Sequence, residues 1–526
     1  MTSQTASPLP ERPNLEQLKK QAKSLLHAAR AADASALERF RLLPAFARKS
    51  VAELAAVDLA LHDAQSVIAR QHGFESWNAL REHVEERSLS FAAAVDEFVR
   101  CATGSAAARA LRLLELHPGI AHASLHTELV LGDADAVKER LRTQPSLATQ
   151  AGGIQEWEPL LYVCHTCLHR DEPGLVTIAN ELLARGANPN AEYHWQWHPE
   201  LPRTALWGAL CATAHLPLAE LLLQNGANPT DGVSLHITAG GGHLPALELL
   251  ARFNVDTNGI PGGVPPLRYI LSWGDNLIGP RWLLEHGADP NLAWDAHGDA
   301  PIHIAAQRWD VPMMELLAKH GADLHQRRRD GRTALTIAEL YGNEGIATWL
   351  RARGAKDELS LLERFAATCA RGDRTRAEAM LRNNPELRGQ LRPEHHLMMH
   401  VPAERGDAAV LDTMLTCGFE PNARDHDGVT ALHRAAMAGH AEAARVLIAH
   451  GAAVDALDGM FAATPLLWAA EGWSHASRPG ADFLAVARVL IAAGSPTTWT
   501  PPEKAPDPES TQEALTELCR AAAATD

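Results

Sequence analysis

Apolar residues near the start of the chain fall at helical spacing. Leu15, Leu18, Ala22, Leu25 and Leu26 line one face of a predicted helix. Helical patterns continue through Val57, Leu59, Leu61, Val67 and Ile68 and reach Gly73-Phe74-Glu75-Ser76-Trp77. From about residue 91 the pattern becomes periodic. A helix ending in Leu-Leu is followed by Gly and a short polar turn, as in Leu182-Leu183-Ala184-Arg185-Gly186-Ala187-Asn188-Pro189-Asn190. The same arrangement returns at Leu222-Leu223-Gln224-Asn225-Gly226 and Leu283-Leu284-Glu285-His286-Gly287, with further copies ending at Gly321, Gly418 and Gly451. Gly closes such a helix because the left-handed conformation is costly for a residue with a Cβ. Pro just beyond it prevents the helix from resuming.

A second string precedes each of these helices. Thr430-Ala431-Leu432-His433-Arg434-Ala435-Ala436 is the clearest, and Ala300-Pro301-Ile302-His303-Ile304-Ala305-Ala306 is a close copy. Looser copies begin at Thr204, Val233, Thr333 and Thr464. Thr or Ser at the start caps a helix, Pro in the first turn needs no amide proton, and the paired Ala residues let neighbouring helices approach closely. A unit of about 33 residues that cannot bury its own apolar face must stack on its neighbours.

These strings resemble the ankyrin repeat, whose signature Thr-Pro-Leu-His-x-Ala-Ala is followed by Gly-His and, after a second helix, Gly-Ala-Asp. The resemblance covers roughly residues 91 to 498 and implies an all-α solenoid of about twelve helix-turn-helix repeats. The run Asn14-Leu15-Glu16-Gln17-Leu18-Lys19-Lys20-Gln21-Ala22-Lys23 is similar to the N-terminal helical extension of many bacterial ankyrin proteins. The expected organisation is a helical extension over 1–88, repeats over 89–499 and a Pro-rich linker with a capping helix over 500–526. The irregular stretch 253–270 is where the array would kink. Copies ending in Pro118, Pro145 and Pro385 are degenerate. In this family the signature His bonds backbone across the turn, a role implied for His126, His236, His303, His400 and His433.

Composition narrows the function. The chain has 526 residues and a net charge of −16, which disfavours a broad nucleic-acid surface. Arg327-Arg328-Arg329, followed by Asp330, reads as a solvated loop. No stretch is long and apolar enough to span a membrane, and seven scattered cysteines suit a reduced cytosolic setting. No nucleophile elbow, phosphate-binding Gly loop or His-Glu-x-x-His motif is present, so an enzymatic role is disfavoured and no cofactor is expected.

What remains is binding of a protein or peptide in the concave groove between residues 157 and 341. Tryptophan is costly to expose, and a periodic fold does not require it at the turns. The candidates are Trp157, the insertion residues His194, Trp195, Trp197 and His198, then Trp207, Trp273, Trp294 and Asp295, and finally Arg308, Trp309 and Tyr341, with His165 on the inner helices. The competing reading is that the long turn folds back on its own tryptophans. A small-molecule receptor or an enzyme using His165, His194, His198 and Asp295 is the alternative function. A metal reading rests on Cys164, His165, Cys167 and His169 with the nearby His194 and His198, a spacing that matches no known zinc pattern.

Overall fold

The computed structural model describes residues 9–10, 13–104, 106–168, 173–194, 202–261, 263–274, 276–294, 297–356, 358–474, 480–500 and 508–523. These form helices throughout, apart from a small two-stranded ribbon, Glu192–His194 paired with Pro202–Thr204. None of the helices is long and apolar enough to cross a membrane. The chain divides into two compact units, residues 1–192 with 204–227, and residues 193–203 with 228–526.

The first unit opens with five helices between Leu15 and Ser88. Asn14 caps the first by accepting from Gln17 N at 3.1 Å, and Ser50 with Glu53 forms a capping box on the third. Leu18, Ala22, Leu25, Phe40, Leu54, Ile68 and Leu80 make a core of their own. Leu15 and Leu26 sit at its margin. Four helix pairs follow, at residues 91–116, 125–143, 159–184 and 205–224. Glu86 has no exposed surface, and Arg112 neutralises it through Nε at 3.2 Å and Nη2 at 2.9 Å. A buried carboxylate without such a partner would be strongly destabilising.

The second unit stacks eight helix pairs from Ser234 to Ala492. Two devices stitch its repeats together. His303 Nδ1 accepts from Ala300 N at 3.0 Å, and its Nε2 donates to Gln326 O at 2.9 Å. His433 does the same with Thr430 N and Ala463 O, and His236 donates to Val264 O at 2.7 Å. At the other turn, Asn291 Nδ2 donates to Gly321 O at 3.0 Å while its Oδ1 accepts from Asp323 N at 2.7 Å. Asn422 repeats this with Gly451 and Ala453.

The other two signature histidines differ. His126 packs its ring against Tyr162 at 4.8 Å, and His400 places Nδ1 3.8 Å from the Asp425 carboxylate. The irregular copy near Phe253 is closed by Asn254 at φ 58°, where its neighbour uses Gly287 at φ 94°. Asn is the side chain that best tolerates this conformation. At the end, Leu515, Leu518 and Ala522 of the helix Pro508–Ala523 are buried against the last pair, and Arg488 Nε donates to Ala522 O at 2.9 Å.

Candidate functional site

In the first unit Trp157, His165 and Trp207 stack together with Tyr162, and both tryptophans are half-buried. Trp157 ends a tight turn held by Gly152 N donating to Trp157 O at 3.0 Å. Tyr162 is fully buried, donates to Gly152 O at 2.7 Å and accepts from Gln155 N at 3.3 Å. Burial pushes its phenol up. Ring centroids lie 5.4 Å apart for Trp157–Tyr162, 5.5 Å for Trp157–His165 and 5.5 Å for His165–Trp207. His165 is 3% exposed and its Nε2 donates to Thr204 O at 3.2 Å. A Cβ on Gly153 would meet the Tyr162 hydroxyl at 2.6 Å, and one on Gly208 would meet the His165 ring at 2.6 Å. His165 thus packs between the rings of Trp157 and Trp207. Gly208 opens a π-helical turn, Gly208–Ala212, which widens the helix beside the ring.

Among the described residues, Cys164, His165, Cys167 and His194 do not gather as a group of potential metal ligands. Cys164 has no exposed surface and burial pushes its thiol up, while the Cys167 sulfur lies 3.6 Å from Cys101 O. His169 lies outside the described residues. Among those described, the group of three potential ligand residues that do gather is Asp425, His426 and Asp427, on a turn of the second unit.

The second unit holds a different arrangement. Arg268 places its guanidinium carbon 4.8 Å from the centre of the Trp294 ring. Tyr269, next along the same helix, meets His236 edge-on at 5.2 Å. Tyr193 stands on the first strand of the ribbon and Arg203 on the second. Burial pushes the phenols of Tyr193 and Tyr269 up, and the charge of Arg203 opposes this at both. Two arginines therefore sit among Tyr193, Tyr269 and Trp294, and all five side chains are only half-buried.

His194 is exposed on the ribbon, whereas Trp195, Trp197, His198 and Asp295, like the side chain of Trp273, lie outside the described residues. Arg308 pairs with Glu404 at 3.1 Å, and its carbonyl accepts from Arg405 Nη2 at 3.3 Å. Trp309 donates from Nε1 to Leu271 O at 2.7 Å, and its carbonyl accepts from Asn343 Nδ2 at 2.8 Å, so it ties three repeats together. Tyr341 is half-buried, and burial pushes its phenol up. In the Arg327-Arg328-Arg329 run, Arg327 and Arg329 are exposed, as expected of a solvated loop, and Arg328 is the exception. Arg328 is 14% exposed, between Asp299 at 3.2 Å and Asp330 at 3.3 Å, and Arg327 pairs with Glu358 at 2.8 Å. Acidic groups from the neighbouring turns were not visible in the local sequence.

An ankyrin-repeat model of three copies matches residues 235–359 and 397–494. Cyclin-dependent kinase 4 inhibitor B of Bos taurus is 31% identical over 132 residues, which are 25% of this chain and 97% of that protein. The chain belongs to the ankyrin-repeat family. SH3 and multiple ankyrin repeat domains protein 2 of Homo sapiens is 30% identical over 174 residues, 32% of this chain. The 2-5A-dependent ribonuclease of Mus musculus is 40% identical over 65 residues, 12% of this chain. The chain spans 9% of the length of each of these two. The crystal structure of the human ASB11 ankyrin repeat domain aligns at 24% identity and a TM-score of 0.34, covering 45% of this chain and 99% of that one.

Within an ankyrin frame the departures stand out. Arg268 occupies the slot of the signature His in Pro265-Pro266-Leu267-Arg268, and it faces Trp294 where a His would stitch the turn. Glu339 takes the slot of the second signature Ala and is 3% exposed, paired with Arg351 and Arg371. Reading each copy for the residue that breaks the string would have found both. Ankyrin repeats are a general protein-interaction module, which makes the first departure the more informative for function.

Proposed function

We propose that this protein captures a protein or peptide partner at the turns of its second unit, with Tyr193, Arg203, Arg268, Tyr269 and Trp294 as the contact residues. The observation that carries the reading is Arg268. Its repeat slot normally holds a His that closes the next turn, and here it holds a cation laid over a half-buried indole. A guanidinium on an aromatic face contributes about 0.5–2 kcal/mol, rising as the pair is desolvated. The same pair offers a partner a flat apolar surface with a fixed charge at its edge, a composition typical of binding hot spots. Trp195, Trp197 and Asp295 are proposed as further contact residues. Residues 1–88 are read as an N-terminal helical extension of the bacterial type, and the protein as one acting in the cytosol.

The test is selection of binders from a random-peptide display library against the full chain. Selected peptides should bind at least tenfold more weakly to the double variant Arg268→Ala, Trp294→Ala, with helicity unchanged by circular dichroism. Equal affinity for the variant and the native chain would remove this surface from consideration.

A further inference from the structure

The bonds that stitch the second unit join neighbouring copies. His303 reaches Gln326, 23 residues on, and Trp309 reaches back 38 residues to Leu271. Arg308 departs from this pattern. Its Nη2 donates to Glu404 Oε1 at 3.1 Å, 96 residues further on, and Arg405 Nη2 donates to Arg308 O at 3.3 Å. Arg308 ends the helix Pro301–Arg308, and Glu404 and Arg405 end the helix His400–Arg405. Two copies lie between them, opened by the helices Ala334–Leu340 and Leu361–Ala370. Packed helices lie about 8–10 Å apart, so a straight stack would hold the two ends roughly 24–30 Å apart. An arginine and a glutamate side chain cannot bridge that distance, so the array is bent within the second unit.

The bend falls on the degenerate copy. Its second helix, Arg374–Asn383, passes through Asn384 at φ −142° into Pro385, where other copies close on Gly287 at 94° and Gly321 at 90°. The helix Leu361–Ala370 packs on Ala408–Thr416, the second helix of the next pair. Earlier in the unit, Pro301–Arg308 packs on Ala334–Leu340, first helix on first helix. The contact across the bend is made by charged groups that water reaches, with the side chains of Arg308 and Glu404 27% and 34% exposed. Such a pair contributes little by itself. The copies it joins keep buried residues of their own, Ile302, Ala305 and Met313 on one side and Leu411 and Met414 on the other. The contact can therefore break while both copies stay folded.

We propose that Arg308, Glu404 and Arg405 form a latch that holds the array bent at the degenerate copy, and that releasing it lets the copies on either side swing apart. The latch acts through charge on one strand of contact and through a backbone carbonyl on the other. Reversing the charge of Arg308 sets two carboxylates against each other and opens the bend, and reversing Glu404 as well restores the attraction.

The test measures the distance between spin labels carried on noncanonical residues at positions 315 and 409 of the full chain, both exposed and one on each side of the bend. The native chain should give a single short distance. Arg308→Glu should add a second, longer population, with helicity unchanged by circular dichroism. Arg308→Glu combined with Glu404→Arg should return the single short distance. If the charge reversal lowers helicity, Arg308→Gln removes the charge at similar length and should show the longer population instead. The proposal is overturned if the folded single variant gives the native distribution, or if the charge-swapped pair stays as open as the single reversal.

Discussion

The two units put aromatic side chains to opposite uses. In the first, Trp157, Tyr162, His165 and Trp207 stack on one another, and the two innermost groups spend their polar atoms on backbone carbonyls. In the second, Trp294 faces a guanidinium, and Tyr193 and Tyr269 lie within the field of another. Both groups occupy the turns and first helices of ankyrin repeats, and both contain tryptophan. What separates them is the partner of each ring. Tyr162 and His165 are buried with their polar atoms bonded to backbone, whereas Trp294 is half-buried under a half-buried cation, the arrangement proposed above as a contact surface.

The largest effect that sharpens this contrast is on stability. Tyr162→Ala removes a fully buried ring and two hydrogen bonds and should destabilise the first unit by about 3–5 kcal/mol. Trp294→Ala should cost the second unit no more than about 1 kcal/mol. The buried thiols report on each unit separately, Cys164 in the first and Cys417 in the second. After equilibration in urea, a short alkylation pulse should find Cys164 exposed at lower urea in Tyr162→Ala, with Cys417 unchanged. A Trp294→Ala effect as large as that of Tyr162→Ala would place Trp294 in the core and erase the distinction.

The repeat frame was legible in the sequence because the chain restates it many times, even though several copies are degenerate. The helix-closing Gly, the Asn of the following turn and the His of the first string each recur with a bonding role, and the structure pairs them as their positions imply. The site was less legible, since a string shows which residue breaks the pattern and not what meets it. Trp294 was a candidate, but its neighbour Arg268 comes from the preceding repeat, 26 residues earlier. Arg308 was also a candidate, yet its carboxylate partner, Glu404, lies 96 residues further on. Glu86 and Glu339 went unnoticed because a buried Glu is intelligible only once Arg112, or Arg351 and Arg371, are seen beside it.

The units should also differ in acid. Burial holds His236, His303, His395, His396, His400 and His433 of the second unit below the ordinary imidazole value. In the first unit this is so for His83 and His126 among the described residues. A depressed value in the folded state means the unfolded chain takes up the proton first. The stability these groups confer is present above about pH 6.5 and is lost as the pH falls towards their folded values. His400, drawn down to about 4 by burial and by Arg434, accounts alone for about 3 kcal/mol over that interval. The pulse assay, equilibrated at pH 7 and then at pH 4.5, should show the urea midpoint at Cys417 falling further than that at Cys164. Parallel shifts at the two cysteines would contradict this account.

The smallest effect tests the signature slot itself. His303 and Arg268 stand at the same register of successive repeats, His303 at 1% exposure with both ring nitrogens bonded to backbone. His303→Ala leaves Ala300 N and Gln326 O without their partners in a buried turn and should cost about 1–3 kcal/mol. Arg268→Ala gives up a cation–ring contact at a half-exposed position and should cost about 0.5–1 kcal/mol. Urea melts of the two single variants settle the order. If Arg268→Ala proves the more damaging, Arg268 is a stitch like the histidine it replaces, and its contact with Trp294 belongs to the scaffold. If the order holds, this repeat has exchanged its turn-closing residue for a cation that its own fold does not need, while the copies on either side keep the histidine, as the proposed contact surface requires.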